Sequence, residues 1–251
     1  ISEGLVGSEM CIRDRGKAMA MALAEHGSQV VISSRKQDAC EETAAEINAA
    51  VDAERAIAIA CNIGYKEQLQ NLVDETRSRL GPIDTLIANA GVNPFYGPMS
   101  EIPDEAFDKT MNSNLRSNHW LCQMVAPDML AKQRGSIMIT ASVGAFGPSE
   151  TLGTYNISKM ADIALVRNLA MEWGPQGVRV NALCPGLIRT DFAKALWDNP
   201  EAAKRVTEQT PLRRFGEAED FKGIAVFAAS DASAYVTGQA LTVCGGTHMF
   251  R

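Results

Sequence analysis

The sequence predicts an α/β fold carried by one doubly wound parallel sheet. Short apolar runs rich in β-branched residues alternate with longer amphipathic stretches along the 251 residues. The runs are near-continuously apolar instead of alternating with polar residues, as strands buried on both faces are. A repeating β-then-α order implies parallel strands joined by right-handed crossovers. The length suits a single domain with a large core.

The elements follow in order. A helix over 17–26 ends at Gly27, where a helix C-terminal glycine belongs, and leads into a strand at 29–33. A helix over 38–50 precedes a strand at 56–61. A helix over 66–80 closes at Gly81 before a strand at 85–88. One long helix is expected over 104–131, then a strand at 136–140. A helix over 155–173 ends at Gly174 and feeds a strand at 178–183. A last helix over 217–229 precedes a strand at 240–243. In such a sheet, ligands bind beyond the carboxyl ends of the strands. Ser34 and Arg35, Cys61 and Asn62, Asn89 to Gly91, Ser142, and Pro185 with Gly186 all fall there.

Composition is ordinary for a globular protein, and a net charge of −6 argues against nucleic acid as the main partner. No apolar run approaches the roughly 18 residues a bilayer span needs, so no membrane partner is expected. The six cysteines are scattered without a C-x-x-C pair, which points to reduced, mostly buried thiols in a cytoplasmic protein. Histidines 26, 119 and 248 are isolated, so no metal site is expected.

The chemistry is concentrated around Tyr155 and Lys159. Four residues apart on a helix, they share one face. A lysine ammonium beside a phenol favours the phenolate, and a tyrosine so tuned can trade protons near neutral pH. Such a pair alone is ordinary on a helix surface. Here it follows Ser142, at the end of an apolar run, and Asn114.

This constellation resembles the short-chain dehydrogenase/reductase family over residues 16 to 251. The resemblance is reinforced by Asn89, Ala90 and Gly91 after an apolar run, by Pro185 and Gly186 with Thr190 beyond them, and by Thr237 with Gly238 and Gly245 with Gly246. It implies a Rossmann-like fold and an oxidoreductase that interconverts a carbonyl and an alcohol. Tyr155 would be the general acid and base. Lys159 would assist it and hold the nicotinamide ribose. Ser142 would hold the substrate oxygen, and Asn114 would bind a water linking Lys159 to solvent. Asn89, Ala90 and Gly91 would wall the adenine ribose, Asn62 with Ile63 would meet the adenine, and Pro185, Gly186, Ile188 and Thr190 would meet the nicotinamide end. A homotetramer is implied, with the helices over 104–131 and 155–173 at one two-fold axis.

Cofactor choice is set at the end of the second strand. NAD-binding sheets place a carboxylate there, and NADP-binding sheets a nearby arginine. The chain has Ser34, Arg35 and Lys36, with no carboxylate before Asp38, so NADP is expected over NAD.

The start does not fit. Family members open with a strand and a glycine turn ending at the position of Gly16, yet the two earlier glycine positions hold Asp14 and Met10. No initiator Met and no apolar strand precede Gly16. Residues 1–15 are therefore expected to be a non-native leader, since 7–15 resembles translated sequencing-adapter read-through. A diverged native loop is the alternative.

For substrate, residues 190–210 would form a lid. Phe192, Leu196 and Trp197 would wall an apolar pocket with Phe95, Tyr96, Phe146 and Leu152, suited to a hydrophobic ketone or aldehyde. Local strings resemble the NADPH-dependent carbonyl and retinal reductase branch, without its peroxisomal C-terminal address. Two alternatives stand beside this reading. One is a reductase of carrier-bound 3-oxoacyl chains, for which Arg205, Arg213 and Arg214 are the nearby cations. The other is a binding protein that keeps the fold but lacks a working glycine turn.

Overall fold

The computed structural model describes residues 4–7 (backbone alone), 15–189 and 197–249. Seven parallel strands form one sheet in the order β3-β2-β1-β4-β5-β6-β7. They are β1 (Gly4–Gly7), β2 (Val30–Ser33), β3 (Ala56–Ala58), β4 (Thr85–Ala88), β5 (Gly135–Thr140), β6 (Val178–Pro185) and β7 (Ala240–Val243). The helices are α1 (Lys17–Glu25), α2 (Gln37–Val51), α3 (Lys66–Leu80), α4 (Asp104–Met111), α5 (Ser117–Lys132), α6 (Gly153–Trp173), α7 (Pro200–Gln209) and α8 (Lys222–Ala229). The reversal of strand order between β1 and β4 opens a crevice at the carboxyl ends of the strands, where such sheets take their ligands.

Burial explains the apolar runs. Val30 and Ile32 of β2, Ile87 of β4 and Met138 of β5 pack with Met19, Leu23, Ile47 and Phe221 on one face. Val31, Leu86, Ile137 and Ile139 pack with Leu72, Val125, Met129, Ile163 and Val166 on the other. Alternate residues of each strand thus enter different cores, as a two-residue side-chain period requires. Each fully buried aliphatic side chain contributes roughly 1.5–3 kcal/mol.

The structure differs from expectation at several places. A strand does precede Gly16. Gly4–Gly7 pairs with Val30–Ser33 on one side and with Thr85–Ala88 on the other. Two glycines in four residues hid it from an apolar-run reading, because pairing of this kind needs only backbone. The helix expected over 104–131 is broken by a π-helical turn at Asn112–Arg116. Gly174 is not the left-handed terminator of α6. A short 3-10 turn continues to Gln176, and Gly177 takes the positive φ of 78°. A Cβ at Gly177 would run into the Gln133 carbonyl oxygen. Helix α7 was not expected. Asn199 caps it by accepting from the backbone N–H of Glu201 and Ala202, and Pro200 opens it.

Candidate active site

The site begins where β5 ends. Ser142 is extended, and its Oγ accepts from the Gly144 N–H at 3.1 Å, capping the 3-10 turn Val143–Phe146. That bond uses a lone pair, so the hydroxyl proton remains to be donated. Helix α6 starts at Gly153, which puts Tyr155 in its first turn and Lys159 one turn on. Ser142, Tyr155 and Lys159 line one cavity of about 130 Å³ at the crevice, together with Asn89, Ala90, Gly91, Pro185, Gly186 and Ile188. A larger cavity of about 620 Å³ lies at the opposite, amino ends of the strands, around Arg134 and Asp231. Ser142, Tyr155 and Lys159 are absent from its lining, so the smaller cavity is the candidate site.

Lys159 is buried, 2% exposed. Its ammonium donates to the Thr140 carbonyl at 2.8 Å and to Asp162 Oδ2 at 3.0 Å, leaving one of three donors for the cavity. Asn114 is fully buried by the π turn. Its Oδ1 accepts from the Val92 N–H at 2.7 Å, and its Nδ2 donates to the Val92 carbonyl at 3.0 Å and to Ser158 Oγ at 2.9 Å. Both amide donors are thus spent on holding the loop after β4. One lone pair on Oδ1 is left for a water. Gly91 lies beside both groups, where a Cβ would make ordinary contact with Lys159 Nζ at 3.5 Å and Asn114 Oδ1 at 3.7 Å.

The other expected cofactor contacts are spread along the sheet. Ser34 closes the turn after β2, with Oγ 3.3 Å from the Lys36 N–H and 3.1 Å from Cys40 Sγ, so its hydroxyl serves the turn. Arg35 and Lys36 are exposed beside it. Asn62 Oδ1 accepts from the Gly64 N–H, and Ile63 is half-buried against the core. None of these five lines the cavity of Tyr155. They lie at the ends of β2 and β3, where an extended dinucleotide would reach after crossing β1. Gly16 enters α1 from a single π turn shared with Arg15. Ile188 is buried and bridges Gly216. A Cβ on Gly186 would come within 2.8 Å of Cys244 Cα, so packing as well as any ligand demands glycine there. Thr190, Phe192 and Leu196, and the glycine-turn positions Met10 and Asp14, lie outside the described residues. Of the apolar wall, Leu152 lines the cavity, Phe146 stacks on His248 at 4.4 Å between ring centroids, and Tyr96 is exposed.

One observation tests whether a dinucleotide fits. Asn89 is 2% exposed, its Oδ1 is 3.3 Å from the Thr140 hydroxyl, and its Nδ2 is buried without a protein partner. A buried amide donor facing a cavity calls for a ligand acceptor. The residues present fit the group.

Sequence reading missed two features. Arg15, assigned to the leader, lines the cavity and stands 5.7 Å over the Phe221 ring. Asp162 pairs with Lys159 inside the protein, and its signal was the carboxylate three residues on along the same helical face.

A family model described as Enoyl-(Acyl carrier protein) reductase matches residues 15–248. The chain is 38% identical over 231 residues to dehydrogenase/reductase SDR family member 4 of Oryctolagus cuniculus, covering 92% of this chain and 88% of that protein. Among solved structures, it resembles gluconate 5-dehydrogenase from Burkholderia cenocepacia J2315 in complex with NADP and tartrate. The TM-score is 0.91 at 28% identity, over 98% of this chain and 94% of that one. A short-chain type dehydrogenase/reductase from Mycobacterium ulcerans gives a TM-score of 0.92 at 28% identity, over 98% and 89% of the two chains. With the parallel sheet, the crevice and the joined Ser142, Tyr155 and Lys159 already in place, these likenesses establish that the chain belongs to the short-chain dehydrogenase/reductase family.

Proposed function

We propose that this oxidoreductase interconverts a ketone or aldehyde with its alcohol, using NADP(H). The observation that carries the reading is the shared cavity of Ser142, Tyr155 and Lys159, with Asn114 clamped behind it. When bound, the nicotinamide cofactor supplies or accepts the hydride. Ser142 donates to the substrate oxygen and holds it near Tyr155. Tyr155 gives that oxygen a proton in reduction and takes one back in oxidation. The remaining donor of Lys159 faces the cavity and the nicotinamide ribose. The open lone pair of Asn114 takes a water through which protons are resupplied. Asn89 Nδ2, Ala90 and Gly91 hold the adenine-side ribose, with Asn62 and Ile63 toward the adenine. Pro185, Gly186, Ile188 and Thr190 hold the nicotinamide end. Arg35 and Lys36, exposed at the end of β2, meet a ribose 2′-phosphate, which supports NADP over NAD.

The acyl-carrier reading draws support from the description of the matching family model. It needs several free cations at the site mouth; of the three candidates Arg214 is engaged bidentately by Asp220 and Arg213 donates to the Glu208 carbonyl, so exposed Arg205 is left to serve alone. A free carbonyl substrate is therefore favoured. We further propose a homotetramer, supported by Phe107, Ile157, Met160 and Met171 exposed on α4 and α6. A cytoplasmic location is part of the proposal, supported by the mostly buried thiols of the described cysteines. Among the described residues, no helix is long and apolar enough to cross a membrane. For residues 1–15, expected to be a non-native leader, the pairing of the Gly4–Gly7 backbone with β2 and β4 supports the alternative of a diverged native loop.

The test is titration with NADPH and NADH by nucleotide fluorescence, followed by turnover on hydrophobic ketones and aldehydes. Selective NADPH binding with turnover bears out the reading, and R35A/K36A then loses the preference. Binding gained only after grafting an ordinary strand and glycine turn ahead of Gly16 identifies a foreign start. No binding even with the graft sinks the oxidoreductase assignment.

A further inference from the structure

Lys159 is held by a buried carboxylate on its own helix. Asp162 lies three residues beyond Lys159 on α6 and is fully buried. Its Oδ2 takes the Lys159 ammonium at 3.0 Å, and its Oδ1 takes Nδ2 of Asn118, from α5, at 3.0 Å. The same Asn118 amide donates to the Asn114 carbonyl at 2.6 Å. Both carboxylate oxygens are therefore acceptors facing donors, the arrangement of an ionised group. A buried charge of this kind is costly unless paired, and its partner here is the very group that serves the phenol.

We propose that Asp162 is a positioning residue for Lys159: with the Thr140 carbonyl it fixes where the ammonium sits, and its negative charge offsets part of the lysine's field at Tyr155. The inference rests on the functional reading above for its catalytic meaning, but the electrostatic effect exists in the resting protein. Burial pushes the Asp162 carboxyl above the usual carboxylate range, and Lys159 and Asn118 offset only part of that rise, so it is the contacts of both oxygens with donors that argue for the ionised form. The titratable groups facing the pair come from each packed element. Tyr155 is on α6, Cys122 on α5 and Cys184 on β6, and Arg15 lines the same cavity. Burial pushes both thiols up, Cys184 to about 12, so neither carries charge near neutral pH. Among these neighbours, Asp162 supplies the negative charge. It also ties Asn118, Asn114 and Lys159 into one chain of contacts across α5, the π turn and α6.

The sign follows directly. Removing the carboxylate leaves the ammonium uncompensated, which favours the phenolate. Tyr155 and Asp162 are seven residues, about two helical turns or 10.5 Å of rise, apart, so the shift is on the order of one pH unit downward.

The experiment reads the Tyr155 phenol directly. Phenolate absorbance near 295 nm is titrated in wild type, in D162N and in D162S, each with its Y155F counterpart subtracted to remove the other three of four tyrosines. The exchange D162N/N118D guards against misfolding, because it keeps one carboxylate and one amide across the same contact. The expected result is a midpoint lowered by about one unit in D162N or D162S and restored toward wild type in the exchange. The acid limb of kcat/KM for alcohol oxidation should move with it. An unmoved Tyr155 titration in a folded D162N or D162S variant overturns the proposal, whatever the activity. Wild type without NADP-linked turnover, with the titration shift present, would instead sink the functional reading and leave the positioning role standing.

Discussion

Asn114→Ala tests whether the π turn exists to hold the loop after β4 against the site. The substitution deletes three hydrogen bonds, two to the Val92 backbone and one to Ser158. A neutral hydrogen bond contributes about 1 kcal/mol net, and more where its partner is left buried and unpaired. Ser158 keeps its own donation to the Tyr155 carbonyl, and Val92 is half-buried, so water can reach part of what is orphaned. The loss should come to about 2–3 kcal/mol. For a chain of this length, that is a fall in Tm of roughly 4–12 °C. Urea unfolding followed by circular dichroism measures the stability, and NADPH-linked turnover measures the site. Asn114→Asp keeps the acceptor for the Val92 N–H but sets a carboxylate oxygen against the Val92 carbonyl at a buried site, so it should cost at least as much as the alanine variant. A loss under about 0.5 kcal/mol with normal turnover would show that the loop is held by other contacts and that the clamp argument is wrong.

Three further outcomes are expected. Tyr155→Phe keeps the ring and removes the proton, so turnover should drop by about 10²- to 10⁴-fold while NADPH binding persists, and a drop below about tenfold would remove Tyr155 from the chemistry. Gly177→Ala meets both a φ of 78° and the Gln133 carbonyl, and should cost roughly 1–3 kcal/mol in urea unfolding. Cys122 and Cys184 are buried thiols pushed up by that burial, so near pH 8 they stay protonated and should resist iodoacetamide until the chain unfolds. Half-buried Cys244 should label before them, and peptide mapping that found Cys122 alkylated in the native protein would contradict its placement.

Most of the fold was legible because this sheet is buried on both faces. Strands such as Thr85–Ala88 are buried at every position and nearly all apolar, and runs of that kind stand out against amphipathic helices. The helix over 66–80 coincides with α3 because its end is marked by Gly81 at a φ of 99°. The central strand Gly4–Gly7 was not legible, since its place depends on backbone pairing with β2 and β4 and its composition carries no strand signature. The π turn at Asn112–Arg116 escaped for a related reason. One extra residue per turn leaves the apolar period of a helix nearly unchanged, while it rotates Asn114 onto Val92 and Ser158.

By itself, the sequence determined the parallel α/β architecture and named Ser142, Tyr155 and Lys159, because strand ends and helical spacing place chemistry by local rules. The tertiary structure alone decided which side-chain atoms those residues still have to offer. Lys159 has spent two of its three donors on Thr140 and Asp162, Asn114 has spent both of its donors on Val92 and Ser158, and Asn89 keeps a buried donor without a protein partner. That accounting is set by groups distant in the chain and adjacent in space. In a dry interior, every donor must find an acceptor wherever the fold brings one.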